Sequence, residues 1–140
     1  MAAEMTKRER VMRTIRFEET DRVPLYDILQ NDAVIEHYAG RPLTYDDGDR
    51  TVAHAVGRTL DMTRMVNGPS KPQEFTNPDG TVYRAERWTS WTEKRPYHDL
   101  PTLIEWIKRQ IVAIDATVFD RAYVEQVHDY VKKRLAWFAE

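Results

Sequence analysis

Residues 6–29 read TKRERVMRTIRFEETDRVPLYDIL and predict a short helix followed by a strand. Thr6 and Glu9 have the spacing of a capping box, in which each side chain satisfies the other's backbone amide at the start of a helix. After the charged turn EETD, residues 22–29 are mostly apolar and carry Pro24 near their start, where a missing amide donor is tolerated. This composition is typical of a strand buried on both faces.

Local chemistry also predicts two further short helices. Asn31 or Asp32 can cap a helix that Gly40 ends in a left-handed conformation. The loop YDDGD at residues 45–49 can cap another helix, in which apolar residues recur every four positions. Those apolar residues are Val52, Val56 and Leu60.

The middle of the chain predicts a small antiparallel sheet. The segment NPDG at residues 77–80 is a turn in which proline fixes the second position. The residues around it are rich in β-formers and indicate a hairpin or meander, with strands near residues 73–75, 81–88 and 90–94.

Two long amphipathic helices are expected after the sheet. Asp99 with Pro101 opens the first, and Thr117 or Asp120 opens the second, which continues to the end of the chain. The whole pattern is mostly helical and belongs to the α+β class. We expect one domain over residues 1–140, consisting of the first helix and strand at 1–29, an insertion at 30–98 and the two long helices at 99–140.

Composition excludes several classes of function. The formal charge of the 140 residues is -2, so no general attraction to nucleic acid or an anionic membrane is expected. Cysteine is absent, which excludes disulfides, thiolate metal sites and cysteine nucleophiles. No apolar run approaches membrane-spanning length and no signal-peptide pattern is present, so we expect a cytoplasmic protein without membrane partners.

No motif for metal or phosphate binding is recognisable. The five glycines match neither a dinucleotide-binding nor a Walker A pattern, and the four histidines are scattered. Asp46, Asp47 and Asp49 lack the spacing of a calcium loop, so helix capping is the simpler explanation of this acidic loop. We therefore assign no metal ligands and no confident cofactor.

Three polar residues that follow the predicted strand are candidates for substrate binding. They are Asp27, Asn31 and Asp32, and in a β/α barrel the carboxyl ends of the strands face the active site. The alternative is that they only cap the turn and the next helix.

A cluster of arginine and tryptophan is the second candidate. Arg84, Arg87, Trp88 and Trp91 lie in the run RAERWTSW, where rings beside guanidiniums can bind a planar anionic ligand. The alternative is that the tryptophans are core or interface anchors.

The opening stretch resembles the start of the uroporphyrinogen decarboxylase superfamily, especially its corrinoid-dependent methyltransferase-like branch. Those proteins commonly begin with a helix of the form T-x-R-E-R-V, followed by E-x-x-D-R-V-P. Three later segments are also similar to that branch, so the resemblance covers nearly the whole chain. They are GDRTVAHAVGRTLDMTR at 48–64, YRAERWTSWTEKRPY at 83–97 and the L-x-E-W-I-K helix at 103–108.

The resemblance implies the N-terminal part of a (β/α)₈ barrel, with residues 22–29 as the first barrel strand. Because such a barrel needs about 250 residues, we expect this chain to be catalytically incomplete alone. Uroporphyrinogen decarboxylases carry an arginine-bearing R-Q-A-G-R-Y segment after this strand, whereas residues 26–38 read YDILQNDAVIEHY. The His and Cys zinc site of the methyltransferase branch cannot be mapped onto this chain.

Three hypotheses of function follow. The first is a part of an enzyme that transfers a methyl group between a donor, a corrinoid protein and an acceptor, with catalytic residues unknown. The second is a noncatalytic assembly or binding module, which forms a homo-oligomer or pairs with a chain that supplies the rest of the barrel. The third is a protein that binds cobalamin or another tetrapyrrole.

Overall fold

The structure is a computed structural model that describes residues 4–117 and 119–139. Its contacts divide the chain into two compact units, Met1–Pro69 with Lys132–Glu140, and Ser70–Val131. Within the described residues, five α-helices and one three-stranded antiparallel sheet form a fold of the α+β class. This confirms the predicted class, whereas the expectation of one domain stays a prediction.

The first unit contains three helices, and side-chain chemistry predicts the starts of the first two and the end of the second. They are α1 (Lys7–Ile15), α2 (Asp32–Ala39) and α3 (Gly48–Thr59). The Thr6 hydroxyl accepts from the Glu9 amide at 3.2 Å, and the Asn31 side chain accepts from the Val34 amide at 3.1 Å. Gly40 ends α2 with φ of 69°, a left-handed conformation that favours glycine.

The buried apolar core is concentrated where α2 packs against α3. Among the described residues, Pro69 and Ala85 are the buried apolar residues outside this region. The predicted stripe of α3 is confirmed, since all three of its residues are buried. The core residues are Ile35, Ala39, Leu43, Val52, Ala53, Ala55, Val56 and Leu60.

The prediction of a buried strand at residues 22–29 is wrong. Only Tyr26 makes a β-bridge, with Met62, and the bridge is parallel. Val23 is 80% exposed and Leu25 is 52% exposed. An apolar composition predicts burial only where other strands cover the segment, and no described residues form strands on both sides of this one.

The second unit contains the predicted meander, with strand order β1-β2-β3. The strands are β1 (Gln73–Thr76), β2 (Val82–Ala85) and β3 (Ser90–Lys94). The turn between β1 and β2 is the predicted one: the Gly80 amide donates to the Asn77 carbonyl at 2.9 Å, and Gly80 has φ of 86°. On one face of the sheet, the rings of Phe75 and Tyr83 stack at 5.6 Å.

The two long helices form as predicted, but their apolar faces are not buried. They are α4 (Leu100–Asp115) and α5 (Arg121–Ala136), followed by a 3₁₀ turn, Trp137–Ala139. Asp99 caps α4 by accepting from the Thr102 amide at 2.9 Å, and Asp120 accepts from the Tyr123 amide at 2.8 Å. Residue 140, to which the last helix was expected to extend, lies outside the described residues.

Candidate functional site

Residues from α1, from the turn before residues 22–29 and from the end of α3 meet in one network of ion pairs. Arg10 is 1% exposed and binds the Asp21 carboxylate through two hydrogen bonds, from Nε to Oδ1 at 2.6 Å and from Nη2 to Oδ2 at 2.7 Å. Its Nη2 also donates to the Met5 carbonyl at 2.7 Å. This bidentate pair ties α1 to the start of the segment at residues 22–29.

Asp61 is the second carboxylate of this network, and no sequence motif points to it. Its side chain is fully buried and accepts from Arg10 Nη1 at 2.5 Å. Arg22 binds it from the other side, from Nη1 to Oδ2 at 2.6 Å and from Nη2 to Oδ1 at 3.1 Å. The Leu25 amide completes the set by donating to Oδ2 at 2.8 Å.

Hydrogen bonding holds both carboxylates in their charged form. The bonds from Arg10 hold the pKa of Asp21 far below its ordinary value of 3.8. Burial of Asp61 acts to raise its pKa, but bonds from the Leu25 amide, Arg22 and Arg10 outweigh it and leave this pKa lowered. The network is therefore fully ionised at neutral pH.

A cavity of about 330 Å³ adjoins the network. Lys7 donates from Nζ to the Gly57 carbonyl at its wall, and burial lowers the pKa of this lysine against the opposing effect of Asp61. The cavity is lined by Lys7, Val56, Gly57, Leu60, Asp61, Met62, Thr63 and Phe138.

Backbone pairing places residues 22–29 beside the segment that follows α3. Tyr26 and Met62 form a parallel bridge, and the Asp61 and Met62 amides donate to the Leu25 carbonyl at 3.0 and 3.2 Å. The chain therefore runs from one extended segment through α2 and α3 into a second, parallel segment, which is the order of a β/α crossover.

The first group of predicted substrate residues lies between the Tyr26 bridge and the first turn of α2. Asp27 is exposed, and its Oδ1 accepts from the Ile28 amide at 2.7 Å. Asn31 caps α2, and Asp32 lies in the first turn of that helix. All three residues follow the Tyr26 bridge along the chain.

The second group lies on the meander. Arg84 of β2 faces Trp91 of β3 across the strands, and Arg84 Nε is paired with Glu93 Oε2 at 3.2 Å. Arg87 and Trp88 lie in the connection between the two strands, where both are partly buried. The sheet thus brings Arg84 and Trp91 into register, while the Glu93 carboxylate already neutralises that guanidinium.

The acidic loop has a structural role different from the predicted one. Asp47 occupies the N-cap position of α3 without a side-chain capping bond. Asp49 instead accepts from the Gly68 amide at 2.5 Å and pairs with Arg134 Nη1 at 2.9 Å. Across residues 4–117 and 119–139, no group of three or more metal-binding side chains is assembled.

Within the described part of the chain, no helix combines the length and apolar character needed to cross a bilayer. Comparisons with protein-family models, with curated proteins and with solved structures found no match to this chain.

Proposed function

We propose that this chain is the N-terminal segment of a uroporphyrinogen decarboxylase-like or corrinoid-dependent methyltransferase-like enzyme. Its contribution is structural: it supplies the first helix and two neighbouring parallel segments of a β/α barrel. The observation that carries this proposal is the parallel bridge between Tyr26 and Met62, braced by the Arg10, Asp21 and Asp61 network.

The connection between the bridged segments supports the proposal. Parallel strands need a long crossover, usually helical, and α2 and α3 occupy that position here. The α2 and α3 pair carries most of the buried apolar side chains, so the crossover is well packed. In a β/α barrel each strand is joined to the next by this kind of helical connection.

The exposure of residues 22–29 supports the proposal that this chain is not a complete enzyme on its own. A barrel strand is covered on both faces, yet Val23, Leu25 and Tyr26 are each more than half exposed. Strands supplied by another part of the enzyme, by a complementary chain or by a second copy would cover these side chains. Asp27, Asn31 and Asp32 would then lie at the carboxyl end of the first strand and contact substrate.

The chemistry assigned to the assembled enzyme is transfer of a methyl group between a donor, a corrinoid protein and an acceptor. The residues of this chain would position the substrate, and the corrinoid would supply or accept the methyl group. A zinc site for the acceptor does not fit this chain, because it has no cysteine. No metal-dependent step is therefore assigned to it.

A second candidate function is assembly through the long helices. Ile104, Ile107 and Ile111 of α4 and Val127 and Val131 of α5 are all at least 42% exposed. Large exposed apolar faces are typical of interaction surfaces. The hypothesis that the meander binds a tetrapyrrole has less support, because Glu93 already pairs with the Arg84 guanidinium.

Light scattering of the purified chain, with and without methylcobalamin, tests these proposals. We expect a discrete oligomer that Leu25→Lys dissociates and Val112→Lys leaves intact, because Leu25 lies on the exposed segment and Val112 on α4. The reverse pattern would favour assembly through the long helices. If the wild-type chain and both variants are monomers, a second copy does not cover the exposed segment. A solution mass that methylcobalamin leaves unchanged would count against the proposed methyl transfer involving a corrinoid.

A further inference from the structure

The cavity beside the Arg10 network combines an ammonium group with apolar walls. Lys7, in the first turn of α1, lines it together with Gly57, whose carbonyl accepts from Lys7 Nζ. Its volume of about 330 Å³ lies in the range of small-molecule sites, which are mostly apolar and carry a few polar groups that orient the ligand. The apolar residues of the wall are Val56, Leu60, Met62 and Phe138.

Lys7 has hydrogen-bonding capacity that the fold does not use. An ammonium carries three N–H donors, and one of them is bonded to the Gly57 carbonyl. The lysine is half-buried, and no carboxylate of the described residues forms an ion pair with it. Asp61 does not take this role, because both of its oxygens are already bonded to the two arginines of the network.

The charges beside the cavity favour an anion. The two arginines and the two aspartates of the network balance each other, and Lys7 adds a further cation. Burial lowers the pKa of Lys7, Asp61 acts in the opposite direction, and the nearby arginines lower this pKa further. A bound anion would therefore stabilise the charged form of the lysine and neutralise the surplus positive charge.

The polar groups at the wall favour a carboxylate over a phosphate. A phosphate group carries three strong acceptor oxygens, which need several donors. The Thr63 hydroxyl, however, donates to the Met65 carbonyl at 3.0 Å. The Asp61 and Met62 amides both donate to the Leu25 carbonyl. One ammonium beside apolar walls matches a ligand that has one carboxylate and a short hydrocarbon body.

We propose that this cavity binds a small monocarboxylate. The carboxylate accepts hydrogen bonds from Lys7 Nζ, and the hydrocarbon body packs against Leu60, Met62 and Phe138. The site is independent of the proposed barrel function, because none of the substrate candidates at residues 27–32 lines the cavity.

The test is titration of the full chain, labelled with ¹³C in its methionine methyl groups, with sodium isovalerate and with isovaleramide at matched ionic strength. The amide has the same hydrocarbon body without the charge. We expect the Met62 methyl signal to shift and saturate with isovalerate, and isovaleramide to bind at least about tenfold more weakly. A Met62 signal that isovalerate leaves unchanged would overturn the proposal. Equal affinities would also overturn it, since the cavity would then select the hydrocarbon body and not the carboxylate.

Variants test the role of Lys7. Lys7→Gln removes the charge, so we expect isovalerate to bind at least about tenfold more weakly and the affinity for isovaleramide to stay within about twofold. Lys108→Gln is the matched control, because Lys108 lies on α4 and pairs with Glu105 at 2.8 Å, and it should change the isovalerate affinity by less than about twofold. An unchanged isovalerate affinity in Lys7→Gln would contradict the proposal. Should this variant fail to fold, the comparison of acid and amide in the wild-type chain decides.

Discussion

Arg10 Nη1 lies 2.5 Å from Asp61 Oδ1, and the side chains of both residues are almost completely removed from solvent. Two arginines and two aspartates share this network, so its charges balance internally. Breaking such a pair leaves an uncompensated buried charge, which costs more than the intact pair contributes. The network therefore holds α1, residues 22–29 and the segment after α3 in fixed register.

The Asp61→Asn substitution should destabilise the protein by about 3 kcal/mol, because two arginines lose their shared carboxylate. Asp27→Asn is the control, since Asp27 is exposed and its side chain accepts from the adjacent amide, and it should cost less than about 0.5 kcal/mol. Urea unfolding followed by circular dichroism measures both. Equal stability of the two variants would show that the network is not a stabilising feature.

Stability should fall on acidification because the pKa values of Asp21 and Asp61 are lowered by folding. The unfolded chain then binds more protons than the folded one, so this stabilisation is present above the ordinary value of 3.8 and is lost as the pH falls through the folded values. Urea midpoints between pH 6 and 3, which bracket this ordinary value, measure the effect. The urea midpoint of Asp61→Asn should fall less steeply with pH than that of the wild-type chain. An equally steep fall would show that Asp61 does not contribute to the pH dependence of stability.

Phe17 occupies a position that favours glycine. Its φ is 59°, its side chain is 99% exposed, and the Glu18 amide donates to the Arg13 carbonyl at 3.0 Å to close α1. Phe17→Gly should therefore stabilise the chain by about 1 kcal/mol, since the left-handed strain is relieved and little packing is lost. Phe17→Ala keeps a Cβ and should gain much less. The melting temperatures of the two variants separate the effects, because both lose the ring and only Phe17→Gly relieves the backbone strain.

Trp106 links α4 to the turn before β2. Its Nε1 donates to the Asp79 carbonyl at 3.2 Å, and its ring lies 5.4 Å from that of Tyr97. Trp106→Phe should destabilise the second unit by about 1 kcal/mol through the lost hydrogen bond. Trp91→Phe, at a 44% exposed position, is the control and should have a smaller effect. A change in the opposite order would show that Trp91, rather than Trp106, anchors this unit.

Local chemistry accounts for the parts of the fold that the sequence predicts well. The caps at Thr6, Asn31, Gly40, Asp99 and Asp120 depend on residues at most four positions apart, and so does the turn at Gly80. The meander likewise follows from β-formers on either side of that turn. These features need no knowledge of distant contacts.

Local sequence patterns do not predict which apolar segments are buried, and they do not predict the network of ion pairs around Arg10. Residues 22–29 and the isoleucines of α4 have suitable periodicity or composition, but these patterns do not reveal whether another element covers them. Asp61 follows α3 and lies 51 positions from Arg10, so no local spacing relates the two residues. The sequence predicted Asp27, Asn31 and Asp32 as a group because they follow one predicted strand, and of the three Asn31 is the N-cap of α2.

The concentration of the core between Ile35 and Leu60 has a consequence for the order of folding. These side chains pack mainly between two helices that are adjacent along the chain, so little loop entropy opposes their association. During synthesis this hydrophobic centre can close before the meander has been translated. We therefore expect the α2–α3 pair to associate first and α1 to dock onto it once Asp61 is in place.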